Sequence, residues 1–121
     1  MNKNFVIAIK IFCDKIITRG DIVGEMELDE YKFEWDDEKN QKNFKKHKIY
    51  FEDAAWVFLD EFRIDDFDEL HSDFEERYKI IGKVRNILAV IYTERGDKYR
   101  IISARKADKD EQEEYYDQFY K

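Results

Sequence analysis

Four arginines, Arg77, Arg95, Arg100 and Arg105, fall in one stretch of the C-terminal half. A guanidinium group is planar, permanently charged, and presents a fork of N–H donors that matches phosphate. Upstream, Lys46-His47 sets a cation beside the side chain whose proton moves most readily near neutral pH. These residue types could hold an anionic ester, stabilise charge developing on it and transfer a proton. Each also has a plainer reading. Arg105 ends the run RIISARKA (100–107), just before a helix whose acids could simply pair with it. Alternation there places Ile102 and Ala104 on one face and Ile101, Ser103 and Arg105 on the other. Lys46 and His47 close a helix, where cations complement the helix dipole. Arg77 follows Glu75-Glu76, and Arg95 ends Tyr92-Thr93-Glu94-Arg95. If their strands form a hairpin turning near residue 85, the two arginines meet at one end of it, and like charges there repel. Either Glu76 and Glu94 or a bound phosphate would balance them. The second histidine, His71, lies among Asp68, Glu69 and Asp73 and reads as a solvated, charged loop residue.

The charge distribution favours an anionic ligand. The whole chain of 121 residues carries −7, but residues 77–106 hold nine Lys/Arg against two Asp/Glu. Residues 52–76 hold eleven acids and one base. A basic island on a sheet, inside an acidic chain, points to a polyanion, with RNA the first candidate. The acidic segment could mask the island or contact a basic partner. Duplex DNA is disfavoured, because no helix is basic along one face.

Other classes are excluded or unsupported. Two histidines and a single, distant cysteine give no metal-ligand spacing, and no cofactor is expected. There is no glycine-rich phosphate loop and no G-x-S-x-G elbow. Cys13 has no intramolecular disulfide partner, which fits a reducing cytoplasm. No apolar run reaches the roughly 20 residues of a membrane span. The run FVIAIKIF (5–12) is short, interrupted by Lys10, and followed by no small-residue cleavage site, so a signal peptide is not expected. Charged residues at 42% lean towards disorder, but aromatics at 17% argue for a folded core rich in rings.

The elements that must position these residues follow from local patterns. Residues 4–12 read as a strand, 13–30 as loop or ragged helix around Gly20 and Gly24, and 31–35 as a short strand. Asp36 is an N-cap, with Asp37 and Glu38 in the first turn of a helix reaching about Lys46 and carrying Phe44 on its buried side. A second helix covers 52–60. Residues 61–75 form an acidic connection anchored by Ile64, Phe67 and Leu70. Strands at about 76–83, 87–95 and 98–105 form a meander turning at Arg85-Asn86 and Gly96-Asp97. Asp108 caps a last helix to about Tyr120. The fold class is α+β: an N-terminal strand and two helices, an antiparallel meander, a C-terminal helix, and helices on one sheet face with the other open. Residues 1–30 are set apart as an N-terminal extension from a domain spanning 31–121.

Three blocks carry a resemblance: FEWDDEKNQKNFKKHKIYFEDA (33–54), ERYKIIG (76–82), and YTER followed by RIISARKA (92–107). In order and spacing they resemble the BrnT toxin family over about residues 31–116. The resemblance implies a RelE-like fold and a bacterial endoribonuclease toxin of a type II toxin–antitoxin system, cleaving RNA without a metal and arresting growth and translation. It implies a BrnA-like antitoxin of ribbon-helix-helix type, a hetero-oligomer with that antitoxin, and contact with operator DNA only through it. Matched motif by motif, the site residues are Lys46 and His47 from the K-H pair, Arg77 from E-R, Arg95 from T-E-R and Arg105 from S-A-R. Trp35, Asp36, Asn43 and Phe51 also match and are assigned to the framework. The family commonly has Gly after K-H, where a helix would end left-handed; Lys48 stands there instead, adding charge. The competing reading is a non-catalytic module that docks an acidic or antitoxin partner.

Overall fold

The computed structural model describes residues 11–18, 21–68 and 75–120. His71, Leu70 and most of the expected strand at 4–12 lie outside them. The elements run β1 (Ile11–Thr18), β2 (Asp21–Leu28), β3 (Tyr31–Asp36), α1 (Asp37–His47), a single turn α2 (Phe51–Ala54), a 3-10 segment (Ala55–Leu59), β4 (Ile64–Phe67), β5 (Tyr78–Val84), β6 (Asn86–Arg95), β7 (Lys98–Lys106) and α3 (Lys109–Asp117). A further 3-10 turn covers Gln118–Tyr120. The strands form one seven-stranded sheet in the order β1-β2-β3-β7-β6-β5-β4. All pairings are antiparallel except β3 with β7, a parallel ladder of two residue pairs, Phe33 with Tyr99 and Glu34 with Arg100.

The meander, its order and its turns match expectation. Arg85 and Gly96 take the positive φ values, 65° and 61°, that the tight turns need. Residues 13–30 differ from the loop or ragged helix expected: β1 and β2 form a hairpin that continues the same sheet. Gly24 is no breaker. It lies under the Trp35 indole, and a Cβ there would collide with the ring. Met26 and Leu28, two and four residues on, point into the same core, which is the alternation of a half-buried strand.

The main core lies between one sheet face and the segment α1–α2–3-10. Trp35, Phe33 and Phe51 are its largest fully buried side chains. Phe58 is the hub of an aromatic cluster, with ring centroids 4.9 Å from Phe33, 5.0 Å from Tyr92 and 5.1 Å from Tyr99. The C-terminal helix departs from the one-face arrangement. Ile80 belongs to the main core, whereas its neighbour Ile81 packs with Ile87, Ala107 and Tyr115 in a second cluster. Successive strand residues face opposite ways, so α3 covers part of the other face. Within the expected acidic connection, Ile64–Phe67 forms β4, an edge strand on β5. The buried Tyr92 hydroxyl donates to both oxygens of Asp65, 3.0 and 2.9 Å away, tying that edge to β6.

Two caps hold as read from sequence. Asp36 Oδ1 accepts from the Lys39 N–H at 3.2 Å. Asp108 and Glu111 form a reciprocal capping box. Helix α1 ends at Lys48 in the left-handed region, φ 62°. Asn43 supplies the contact that places this helix. Beyond Arg100, β7 has no strand on its β3 side, and Asn43 takes that place. Its Nδ2 donates to the Ala104 carbonyl at 2.8 Å and to the Ile49 carbonyl at 2.9 Å, and its Oδ1 accepts from the Ala104 N–H at 3.2 Å. All three backbone groups are buried and lose their partner without it. Asn43→Ala is expected to lower stability by about 3 kcal/mol in urea unfolding, whereas substitution of the exposed Gln41 leaves it unchanged.

Candidate functional site

The site is built on β5 and β7, on the face opposite the main core. Arg77 precedes β5, Lys79 follows two residues later on the same side, and Arg105 enters from β7, two strands away. With Asp66, Asp68, Ile102 and Ser103 they line a cleft of about 650 Å³. The expected alternation in RIISARKA breaks at one point. The β6–β7 register shifts between Ile91 and Tyr92, so Ile91 faces Ser103 while Tyr92 faces Ile101. The extra residue, Ile102, is a β-bulge. Ile101 and Ala104 therefore both enter the core, and Ile102, Ser103 and Arg105 line the cleft.

Glu111 of α3 organises the cations. Its carboxylate accepts from Arg105 Nη1 at 2.7 Å and Nη2 at 3.0 Å, from Lys79 Nζ at 2.8 Å and from the Asp108 N–H at 2.9 Å. The Glu111 side chain is only 6% exposed. Burial pushes its pKa up, but the donors from Arg105, Lys79 and the Asp108 backbone outweigh burial and hold the group at about 2. Two cations are thus fixed at one place by one buried anion. The plainer reading of Arg105, a pair with the following helix, is realised in this geometry. Two guanidinium nitrogens face Glu111, and Nη1 also reaches the Lys106 carbonyl at 3.3 Å. The fork has five N–H donors, so Arg105 keeps donor capacity towards the cleft. Acids face the cleft as well: Asp66 is directly across from Lys79 in the β4–β5 ladder.

His47 reaches this neighbourhood from the other side of β7. Asn43 pins α1 to the β7 backbone at Ala104, and His47 is one turn further along that helix. Burial, then the Lys46 charge, then the Arg105 charge push the His47 pKa below 6.5. The imidazole is therefore neutral, and able to accept a proton, at neutral pH. Lys46 itself is exposed.

The other arginines do not join this group. Arg95 is at the far end of the β5–β6 hairpin, 3.4 Å from Glu75, and lines no part of the cleft. The β5–β6 register sets Tyr78 across from Tyr92, which places Glu75, not Arg77, beside Arg95. Arg100 pairs with Glu34 at 2.8 Å and Lys98 with Glu25 at 2.6 Å. The basic island is thus largely charge-matched. The acidic segment contributes Asp66 and Asp68 beside the cleft, as a mask would. Sequence reasoning passed over Lys79 and Glu111. Lys79 shares a strand face with Arg77 by period two, and Glu111 is the third residue after a helix cap; both signals were present. Among the described residues, no group of three His, Cys, Asp or Glu side chains is arranged to hold a metal ion. Nor is any helix among them long and apolar enough to cross a membrane.

Residues 35–111 match a family described as the ribonuclease toxin BrnT of type II toxin–antitoxin systems. The chain belongs to the BrnT family. The matched span runs from Trp35 to Glu111 and so includes every member of the cleft cluster together with Lys46 and His47. As a member of a type II toxin family, the chain has an antitoxin as its expected partner class. The crystal structure of the Brucella abortus ribonuclease toxin BrnT is 30% identical, with a TM-score of 0.48, covering 62% of this chain and 94% of that one. No curated protein matches.

The Glu111 knot makes a pH prediction. A carboxyl near 2 in the fold and near 4.5 when unfolded stabilises the fold above pH 4.5, and that contribution is lost as pH falls towards 2. Glu111→Gln should cost about 2–3 kcal/mol at pH 7. The gap between the variant and the parent should shrink as unfolding is measured from pH 5 down to pH 3.

Proposed function

We propose that this BrnT-family chain is an endoribonuclease that cleaves RNA by attack of a ribose 2′-hydroxyl on the adjacent phosphate, with no metal ion. What supports this reading is the cleft that gathers Arg77, Lys79 and Arg105, together with His47, whose pKa is lowered by burial and by the Lys46 and Arg105 charges. His47, held neutral, accepts the 2′-hydroxyl proton as the oxygen attacks phosphorus, and the 5′-oxygen leaves as its bond to phosphorus breaks. That leaving oxygen takes a proton from the imidazolium just formed or from water. Arg105 and Arg77 face the phosphorane charge. Arg105 is preorganised, because Glu111 has already fixed its plane, and such a donor is worth on the order of 3 kcal/mol of barrier. Lys46 keeps the imidazole neutral and offers a phosphate contact. Arg95, locked to Glu75, serves the hairpin end and is left out of the reaction. Growth arrest and a BrnA-like antitoxin of ribbon-helix-helix type, which carries operator binding, complete the proposal.

Purified protein should cleave RNA in EDTA, with activity rising through an acid limb whose midpoint is below pH 6.5. His47→Ala should remove that limb and at least about 10²-fold of the rate. Induced His47→Ala and Arg105→Ala should both permit growth while remaining folded by circular dichroism. Activity restored only by magnesium, or full toxicity in both folded variants, would overturn the proposal.

A further inference from the structure

A second groove, of about 510 Å³, opens on the helix-covered side of the sheet, between the end of α1, the 3-10 segment and the β5–β6 turn. Lys48, Arg85 and Lys106 converge on it, with Trp56 and Asn86 in its wall and Asp53 the acid among its lining residues. Its electrostatics differ from those of the cleft. Lys79 and Arg105 in the cleft are bound to a carboxylate. None of Lys48, Arg85 and Lys106 is in an ion pair with the described residues, and all three are exposed. Lys48 Nζ instead rests 5.7 Å from the Phe44 ring centroid. Three cations against the single acid Asp53 leave the groove with a net positive charge that favours an anion.

The backbone adds an independent observation. Lys48 and Arg85 are two of three described non-glycine residues with positive φ, 62° and 65°. Glycine takes that conformation without penalty, yet both positions carry long cationic side chains, and both face the same groove. Trp56 is half-buried, with its inner side packed on the main core. An aromatic wall beside cations is the pattern that holds single-stranded nucleic acid: bases stack on the ring while the charges follow the backbone. Asn86 adds an amide able to reach a base edge. The groove and the cleft lie on opposite faces of the sheet and share the β7 strand: Lys106, in the groove, directly follows Arg105, in the cleft, and Lys48 directly follows His47.

We infer that this groove is a second subsite for single-stranded RNA, where phosphates lie among Lys48, Arg85 and Lys106 and a base stacks on Trp56. The inference rests on the ribonuclease reading and extends it: the strand crosses the edge of β7 at His47 and Arg105, and most of the binding energy comes from the groove rather than the charge-matched cleft.

The double variant Lys48→Gly, Arg85→Gly tests this without straining the fold, since both backbones suit glycine. The probe is a fluorescent 2′-O-methyl RNA 12-mer, which lacks the attacking hydroxyl, so binding is read apart from cleavage. The wild type should bind it with strong salt dependence. The variant should bind about tenfold more weakly at low salt, with a log–log salt slope shallower by about 0.7 for each phosphate no longer neutralised, and should melt no lower than wild type. Equal affinity and slope, or no binding by the wild type, would overturn the subsite. Unchanged RNA binding with weakened binding of the antitoxin would do the same, assigning the groove to an acidic protein segment. Cleavage of the unmodified 12-mer is read in parallel. If the variant binds weakly as expected but wild type leaves that RNA intact, the subsite stands and the cleavage reading falls.

Discussion

The unpaired edge of β7 is the constraint on which the rest of this molecule depends. β3 pairs with β7 at two positions and then ends, so the second half of β7 would present bare backbone groups beside the core. Asn43 fills that edge with a side-chain amide that donates and accepts as a strand would. A buried backbone group without a partner is costly, and this requirement fixes both the position and the depth of α1. A bond that serves stability also sets where His47, one turn further along α1, is held relative to β7.

A second buried polar group works on the opposite face. Glu111 closes the helix cap and holds Arg105 and Lys79 at once. One carboxylate taking four donors is stable because every lone-pair direction it offers is used. The consequence for recognition is less obvious. Charges neutralised in this way are rigid, which suits stabilisation of a transition state, but they attract a polyanion weakly from a distance. The uncompensated positive charge is in the groove beyond His47. In the proposed reading, fixed donors at the reacting phosphate and free cations along the flanking strand divide the two tasks between two faces of one sheet.

Much of this could be read from the residues. The meander, both tight turns and the Asp36 and Asp108 caps are local, and local patterns were enough. Trp35, Asp36, Asn43 and Phe51 do serve the framework. The errors share a cause, which is that tertiary contacts decided them. Gly24 looks like a breaker until the Trp35 indole is seen above it. β4 is too acidic to read as a strand until β5 pairs with it. The face taken by α3 depends on Ile81 and Ile87, and the bulge at Ile102 reverses an alternation that sequence alone would continue. For the site, residue type was informative and pairing was not: Arg95 and Arg105 look equivalent in the chain, and only the register shows that one faces Glu75 and the other the cleft.

The ends of the cut RNA test the central claim most directly. If the neighbouring ribose hydroxyl is the nucleophile, mass spectrometry of a short RNA incubated with the protein in EDTA will show a 2′,3′-cyclic phosphate on one fragment and a 5′-hydroxyl on the other, and a single 2′-deoxy substitution at the cut position will block cleavage there. Fragments ending in 3′-hydroxyl and 5′-phosphate, or cleavage that continues past the deoxy position, would mean that water attacks instead and that His47 and Arg105 have been given the wrong task.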